Sequence, residues 1–205
     1  MSAAPVMSID RWATNGDLIA ACAQLGYLRR DWATLDPTFG KGTFWNAWRP
    51  AQLEASDLDA AKSPTGVSVD FTQLPWPDHH FDCVVFDPPY KLNGRPSDTA
   101  GMDERYGVHV YTDWRDRMQL CRDGITECAR VYNGTGYLLV KCQDQVSSGK
   151  VRWQTIEFAN HAATLDLGLV DRLDLLSYRP QPAGRRQVHA RRNSSTLLVF
   201  KRGWK

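Results

Sequence analysis

The ten residues Phe81-Asp82-Cys83-Val84-Val85-Phe86-Asp87-Pro88-Pro89-Tyr90 constrain the fold more than any other stretch of this chain. An apolar run of strand length passes straight into an acid, two prolines and an aromatic ring. Pro88 and Pro89 lack backbone donors and fix their own φ, so the strand must stop and the backbone at Asp87 is held stiffly. The expected product is a rigid carboxylate and carbonyl at the C-terminal edge of a strand, with Tyr90 beside them. In open α/β sheets that edge is where ligands bind.

With 205 residues, 42% of them hydrophobic and 23% charged, the chain is expected to fold as one soluble domain with a sizeable core. No apolar run approaches the roughly 18 residues of a membrane span, and the first residues, MSAAPVMSIDRW, lack the basic-then-apolar layout of a signal; a cytoplasmic location is the expectation. Cys22, Cys83, Cys121, Cys128 and Cys142 are odd in number and without C-x-x-C spacing, which favours buried thiols over disulfides or a metal site. The charge is unevenly spread. Residues 179–205 carry eight basic side chains and no acid, so a net charge of +2 leaves the rest of the chain net acidic. Such an end suits a polyanionic partner, the alternative being a solvated tail.

Along the chain, residues 17–25 have a helical apolar face with Asn15 or Asp17 as cap. Asp36-Pro37-Thr38-Phe39-Gly40-Lys41-Gly42-Thr43 then takes a short strand into a loop with two glycines, and a helix is expected over 44–48. Glycines at 40 and 42 allow a tight turn and close approach to a ligand; a plain tight turn is the alternative. The stretch matches neither G-x-x-x-x-G-K-[ST] nor a full G-x-G-x-x-G. A weak strand over 53–59 ends in Asp57, suited to ribose hydroxyls or to a turn. Another over 67–71 ends in Asp70 and Phe71, suited to an adenine amino group and ring face. His79 and His80 read as surface residues. Lys91–Tyr111 is a polar, glycine-rich segment long enough to be a substrate lid or disordered. Beyond it the patterning predicts helix 113–131, strand 136–142, helix 151–167 and strand 169–178, then a basic loop over 179–193 and a last strand over 194–201. The sum is an α/β sheet of about seven strands. Acids at four strand ends, Asp36, Asp57, Asp70 and Asp87, offer acceptors to a ligand rich in donors, which favours S-adenosylmethionine over a dinucleotide.

Two of these motifs together carry a resemblance. Asp36-Pro37-Thr38-Phe39-Gly40-Lys41-Gly42 resembles the cofactor loop, and Asp87-Pro88-Pro89-Tyr90 the catalytic motif, of amino-directed S-adenosylmethionine-dependent methyltransferases, most of all the N6-adenine enzymes of DNA with the gamma-like motif order. Arg191–Phe200 resembles the closing hairpin of small phage and bacterial members. The resemblance implies a Rossmann-like class I fold over residues 1–205, a single domain with a mostly parallel sheet and an antiparallel last strand. It implies S-adenosylmethionine bound by Asp36, Pro37, Phe39, Gly40, Gly42, Thr43, Asp57, Asp70 and Phe71. Asp87, Pro88, Pro89 and Tyr90 would hold the target amine, and Lys91, Arg95, Arg185, Arg186, Arg191 and Arg192 the nucleic acid, DNA before RNA. No metal or membrane is implied. Lys41 stands where many members carry a small residue, and no segment has the size of a target-recognition domain. Specificity then falls to the lid and basic loop, or to a second copy or partner subunit, or is low. An RNA enzyme acting on guanine N2 or adenine N6 and a catalytically silent nucleic-acid-binding module are the competing readings.

Overall fold

A computed structural model of the protein describes residues 12–92, 113–177, 188–190 and 192–205. Helix α1 (Asn15–Gln24) is followed by β1 (Ala33–Asp36), a 3-10 turn (Thr43–Trp45), β2 (Gln52–Ala55), β3 (Cys83–Phe86), α2 (Trp114–Val131) and β4 (Leu138–Cys142). The hairpin β5 (Gln145–Ser147) and β6 (Lys150–Arg152), α3 (Gln154–Ala163), β7 (Leu167–Leu176) and β8 (Ser194–Arg202) complete it. Six strands form one sheet in the order β2-β1-β3-β4-β8-β7. The first four are mutually parallel, while β8 runs antiparallel to both β4 and β7.

The middle of the sheet follows from the sequence directly. Cys83–Phe86 and Leu138–Cys142 are buried at every position, as near-continuous apolar runs must be when helices cover both faces. Alternate residues then divide between two cores. Val84, Phe86, Leu138, Val140, Leu198 and Phe200 pack with Ile125 and Cys128 of α2 and Phe158 of α3. Val85, Leu139, Leu197 and Val199 pack with Leu18, Ile19 and Cys22 of α1. All five cysteines are buried and free. No helix among the described residues is long and apolar enough to cross a membrane.

Several local expectations need correction. The cap of α1 is Thr14, whose hydroxyl accepts the Asp17 N–H while the Asp17 carboxylate accepts the Thr14 N–H, a reciprocal capping box. The helix expected over 44–48 is one 3-10 turn. The strand expected over 67–71 shrinks to a single bridge between Asp57 and Ser68, because Val67 is 59% exposed and has no core to face. The helix expected over 151–167 begins only at Gln154; Ser148 and Gly149, both at positive φ, close the β5–β6 hairpin before it. The main sheet therefore has six strands among the described residues. Residues 93–111 of the expected lid and residues 179–187 and 191 of the basic loop lie outside those described.

Candidate active site

At the C-terminal end of β1, Asp36 is 3% exposed and saturated by donors from its own loop. Its Oδ1 accepts from the Thr38 N–H (2.9 Å) and hydroxyl (3.3 Å), and its Oδ2 from the Trp45 indole (2.7 Å). Its pKa is raised to about 7: burial pushes it up, the hydrogen bonds from Trp45 and Thr38 pull it partly back, and the charge of Asp87 adds to the rise. Beyond it the chain turns tightly: Gly42 N–H donates to Phe39 O (2.8 Å), with Gly40 at φ 58° and Gly42 at φ 66°. A Cβ at Gly42 would sit 2.6 Å from the Phe39 ring, so the turn admits only glycine there. Asp57 ties the loop to the end of β2, accepting the Gly40 N–H (2.8 Å) on one oxygen and the Asp59 N–H (2.9 Å) on the other. Pro37 is buried, Phe39 half-buried and Thr43 exposed at the start of the 3-10 turn.

Asp87 follows β3 immediately and is joined to that loop. Its N–H donates to the Thr38 hydroxyl (2.9 Å), the same hydroxyl that reaches Asp36. Its Oδ1 is buried and has no hydrogen-bond partner, and burial raises its pKa while the Lys141 ammonium opposes the rise. A buried acceptor without a protein donor costs free energy unless a donor from outside the chain, a water or a ligand, meets it. Pro88 is buried and Pro89 and Tyr90 half-buried. The Tyr90 N–H donates to Pro88 O (2.7 Å), and Tyr90 O accepts from two glutamine amides, Gln145 Nε2 (2.7 Å) and Gln154 Nε2 (2.6 Å).

Those glutamines are neighbours of the motif that sequence patterning does not reveal. Gln154, fully buried, also accepts the Gln143 N–H (3.1 Å), and Gln145 accepts the Leu92 N–H (3.3 Å). Arg117 of α2 donates to Lys91 O (3.1 Å). The hairpin and two helices thus clamp the backbone on both sides of Tyr90. Lys141 is a further neighbour outside the expected set, although a lysine inside Leu138-Leu139-Val140-Lys141-Cys142 is a signal in plain view. It is 2% exposed, its ammonium bonds to Asn15 Oδ1 on α1, and it lies 5.0 Å over the Phe44 ring.

The remaining expected residues are more scattered. Asp70 is exposed and accepts from its own Thr72 N–H (2.8 Å) and hydroxyl (2.7 Å). The Phe71 ring packs edge-on to Phe86 at 5.1 Å in the core against α2. The Arg192 guanidinium stacks 4.6 Å over the 44%-exposed Trp153, at a cavity of about 290 Å³ also lined by Asp144, Arg172 and Thr196. Arg95, Arg185, Arg186 and Arg191 lie outside the described residues.

No family model matches the sequence, and no curated protein matches it. Solved structures do. The Haloferax volcanii chain solved in complex with the Trm112 methyltransferase activator aligns at TM-score 0.57 with 13% identity, covering 96% of this chain and 91% of its own. The chain has the Rossmann-like class I methyltransferase fold. TrmN from Thermus thermophilus aligns at 0.54 with 14% identity over 90% of this chain and 48% of its own, so this chain spans about half of TrmN. The cyclase SpnF aligns at 0.52 with 14% identity, over 91% and 80% of the two chains. A fold shared with a cyclase does not name a reaction; the site must do that.

Proposed function

We propose that the protein is an S-adenosylmethionine-dependent methyltransferase acting on an exocyclic base amine, adenine N6 in DNA first. The observation that carries this reading is the buried, unpartnered Asp87 carboxylate oxygen, set at the sheet edge and tied through Thr38 to the glycine loop. The residues present fit the cofactor: Gly40 and Gly42, both at positive φ, hold the tight turn of the loop, and Asp57 and Asp70 supply acceptors for ribose and adenine donors. Asp36 serves by shaping that loop, since it is buried between Thr38 and Trp45 while Asp57 and Asp70 keep part of their carboxylates open to a ligand. When bound, S-adenosylmethionine supplies a methyl group that carries its own activation.

The protein's work is then on the amine. An aromatic amine is a poor nucleophile because its lone pair is delocalised into the ring. With the Asp87 carboxylate and the Pro88 carbonyl accepting its two hydrogens, the nitrogen can pyramidalise and turn that lone pair outward. Pro88 O already accepts the Tyr90 N–H and has a second lone pair for this role. The charge gained by the nitrogen falls beside the Asp87 carboxylate. Tyr90 offers a stacking face, and its backbone is fixed by Gln145 and Gln154, so much of the acceleration is positional. A target amine in a duplex is paired and stacked, so the base must be flipped out to reach Asp87. The arginine-rich end, with Arg192 on Trp153, is the part suited to phosphate. Sequence choice falls to the segments around the site or to a partner subunit.

Transfer of labelled methyl groups to duplex DNA and to structured RNA tests the reading. Label on DNA adenine is expected; label on RNA alone would move the substrate to RNA, and none on either with cofactor binding intact would leave a silent nucleic-acid-binding module. Asp87→Ala should lower transfer by at least about 10²-fold, the scale of losing one transition-state acceptor, with cofactor affinity retained. Full activity in that variant overturns the mechanism.

A further inference from the structure

The register of the sheet sets three ionisable side chains in a row on the face covered by α1. Asp36 ends β1, Asp87 follows β3, and Lys141 lies beside Asp87 on β4, because Val84, Val85 and Phe86 pair in turn with Leu138, Leu139 and Val140. Around this corner, α1 contributes the uncharged Asn15, and its nearest acid, Asp17, is spent on the helix cap. The 3-10 turn contributes the Phe44 ring, and β8 pairs Leu197 with Lys141. Among the described residues Lys141 is thus the cation facing Asp87, and Asp36 the other ionisable group.

The ammonium does not cap the carboxylate. It is drawn off to Asn15 Oδ1 on one side and to the face of Phe44 on the other, leaving Asp87 Oδ1 without a donor. This spacing resolves a conflict between two needs. A buried carboxylate without compensation takes up a proton and ceases to be a pure acceptor. A cation in contact would keep it ionised but would occupy the lone pair meant for the amine. We propose that Lys141, restrained by Asn15 and Phe44, is a positioning residue that keeps Asp87 charged while leaving its oxygen free for the substrate amine. The role deepens the methyl-transfer reading and rests on it, but it makes a claim about Asp87 that can be read without any transfer.

Two variants and two readouts test it. The readouts are the acid limb of the kcat/KM profile and the infrared titration of the protonated Asp87 carboxyl band, assigned by its loss in Asp87→Asn. Lys141→Met removes the charge at similar length; both the limb and the band should move to higher pH by a unit or more, about tenfold in rate at a fixed pH on the limb. Lys141→Arg restores the charge and should move both back. Asn15→Leu frees the ammonium to contact Asp87, so the band should move to lower pH and the plateau rate should fall. Should Lys141→Met fail to fold, Asn15→Leu alone decides the matter. Titrations that coincide with wild type in the folded variants overturn the proposal. Wild-type protein that transfers no methyl group to DNA or RNA, yet shows the infrared shifts, overturns the function and leaves the Lys141–Asp87 coupling standing.

Discussion

Asp36 holds its proton far beyond the range of a free carboxyl group. Its pKa rises from 3.8 to about 7 through burial, with Asp87 adding to the effect. An unfolded chain surrenders that proton near pH 4, so the folded state is favoured by it at low pH. That contribution is complete below about 3.8 and is lost as pH rises through about 7, at about 1.4 kcal/mol per unit of separation. In Asp36→Asn the amide faces the Trp45 N–H with a donor, a cost that does not vary with pH. Urea midpoints of wild type minus variant should therefore fall steadily between pH 5 and pH 8, while a flat difference would show that Asp36 is ionised throughout. Four strand-end acids look equivalent in the sequence. Contacts separate them: donors from their own or the neighbouring loop engage Asp36, Asp57 and Asp70, and only Asp87 keeps a buried oxygen unpartnered. Which acceptors are already used depends on turns that local residue types do not specify.

In α2 the telling residue is Gly124. It is buried, and a Cβ there would lie 2.4 Å from Phe86 Cζ and 2.7 Å from Phe71 Cδ2. Glycine lets the helix settle onto the two rings just behind the strand that ends in Asp87. Alanine would gain about 1 kcal/mol of helix propensity but overpack the contact, which costs about 1–3 kcal/mol. Gly124→Ala should lower stability in a urea titration; a higher midpoint would show that the rings move aside freely. Helix α2 and strands β3 and β4 are legible in the sequence because their apolar periods are long and unbroken. The β5–β6 hairpin is not, because Val151, seven residues before Phe158, continues the apolar spacing of α3 backward into it. It is the Ser148-Gly149 turn that breaks the helix there.

Over the molecule as a whole, the charge has a direction. The basic chain end returns as β8 beside β4, which brings Arg192 to the same sheet edge as Asp87 and Lys141. Neutralising Arg185, Arg186, Arg191 and Arg192 together should weaken binding to a duplex measured by fluorescence anisotropy. The slope of log affinity against log salt should also flatten, by roughly 0.9 for each phosphate that the variant no longer neutralises. An unchanged slope would mark the loop as a solvated tail.

Two prolines after an apolar run fix the end of a strand whatever surrounds it, and paired glycines fix a turn. Those features put Asp87 at a sheet edge and the loop from Asp36 to Gly42 ahead of it, because each rests on the covalent limits of a few adjacent residues. Pairing was decided only when distant segments met. Gln154 meets Tyr90 across 64 residues, Lys141 meets Asn15 across 126, and Thr38 meets Asp87 across 49. Such meetings depend on strand order and register, which set the side chains facing one another at the end of the sheet, and no window of sequence contains both partners.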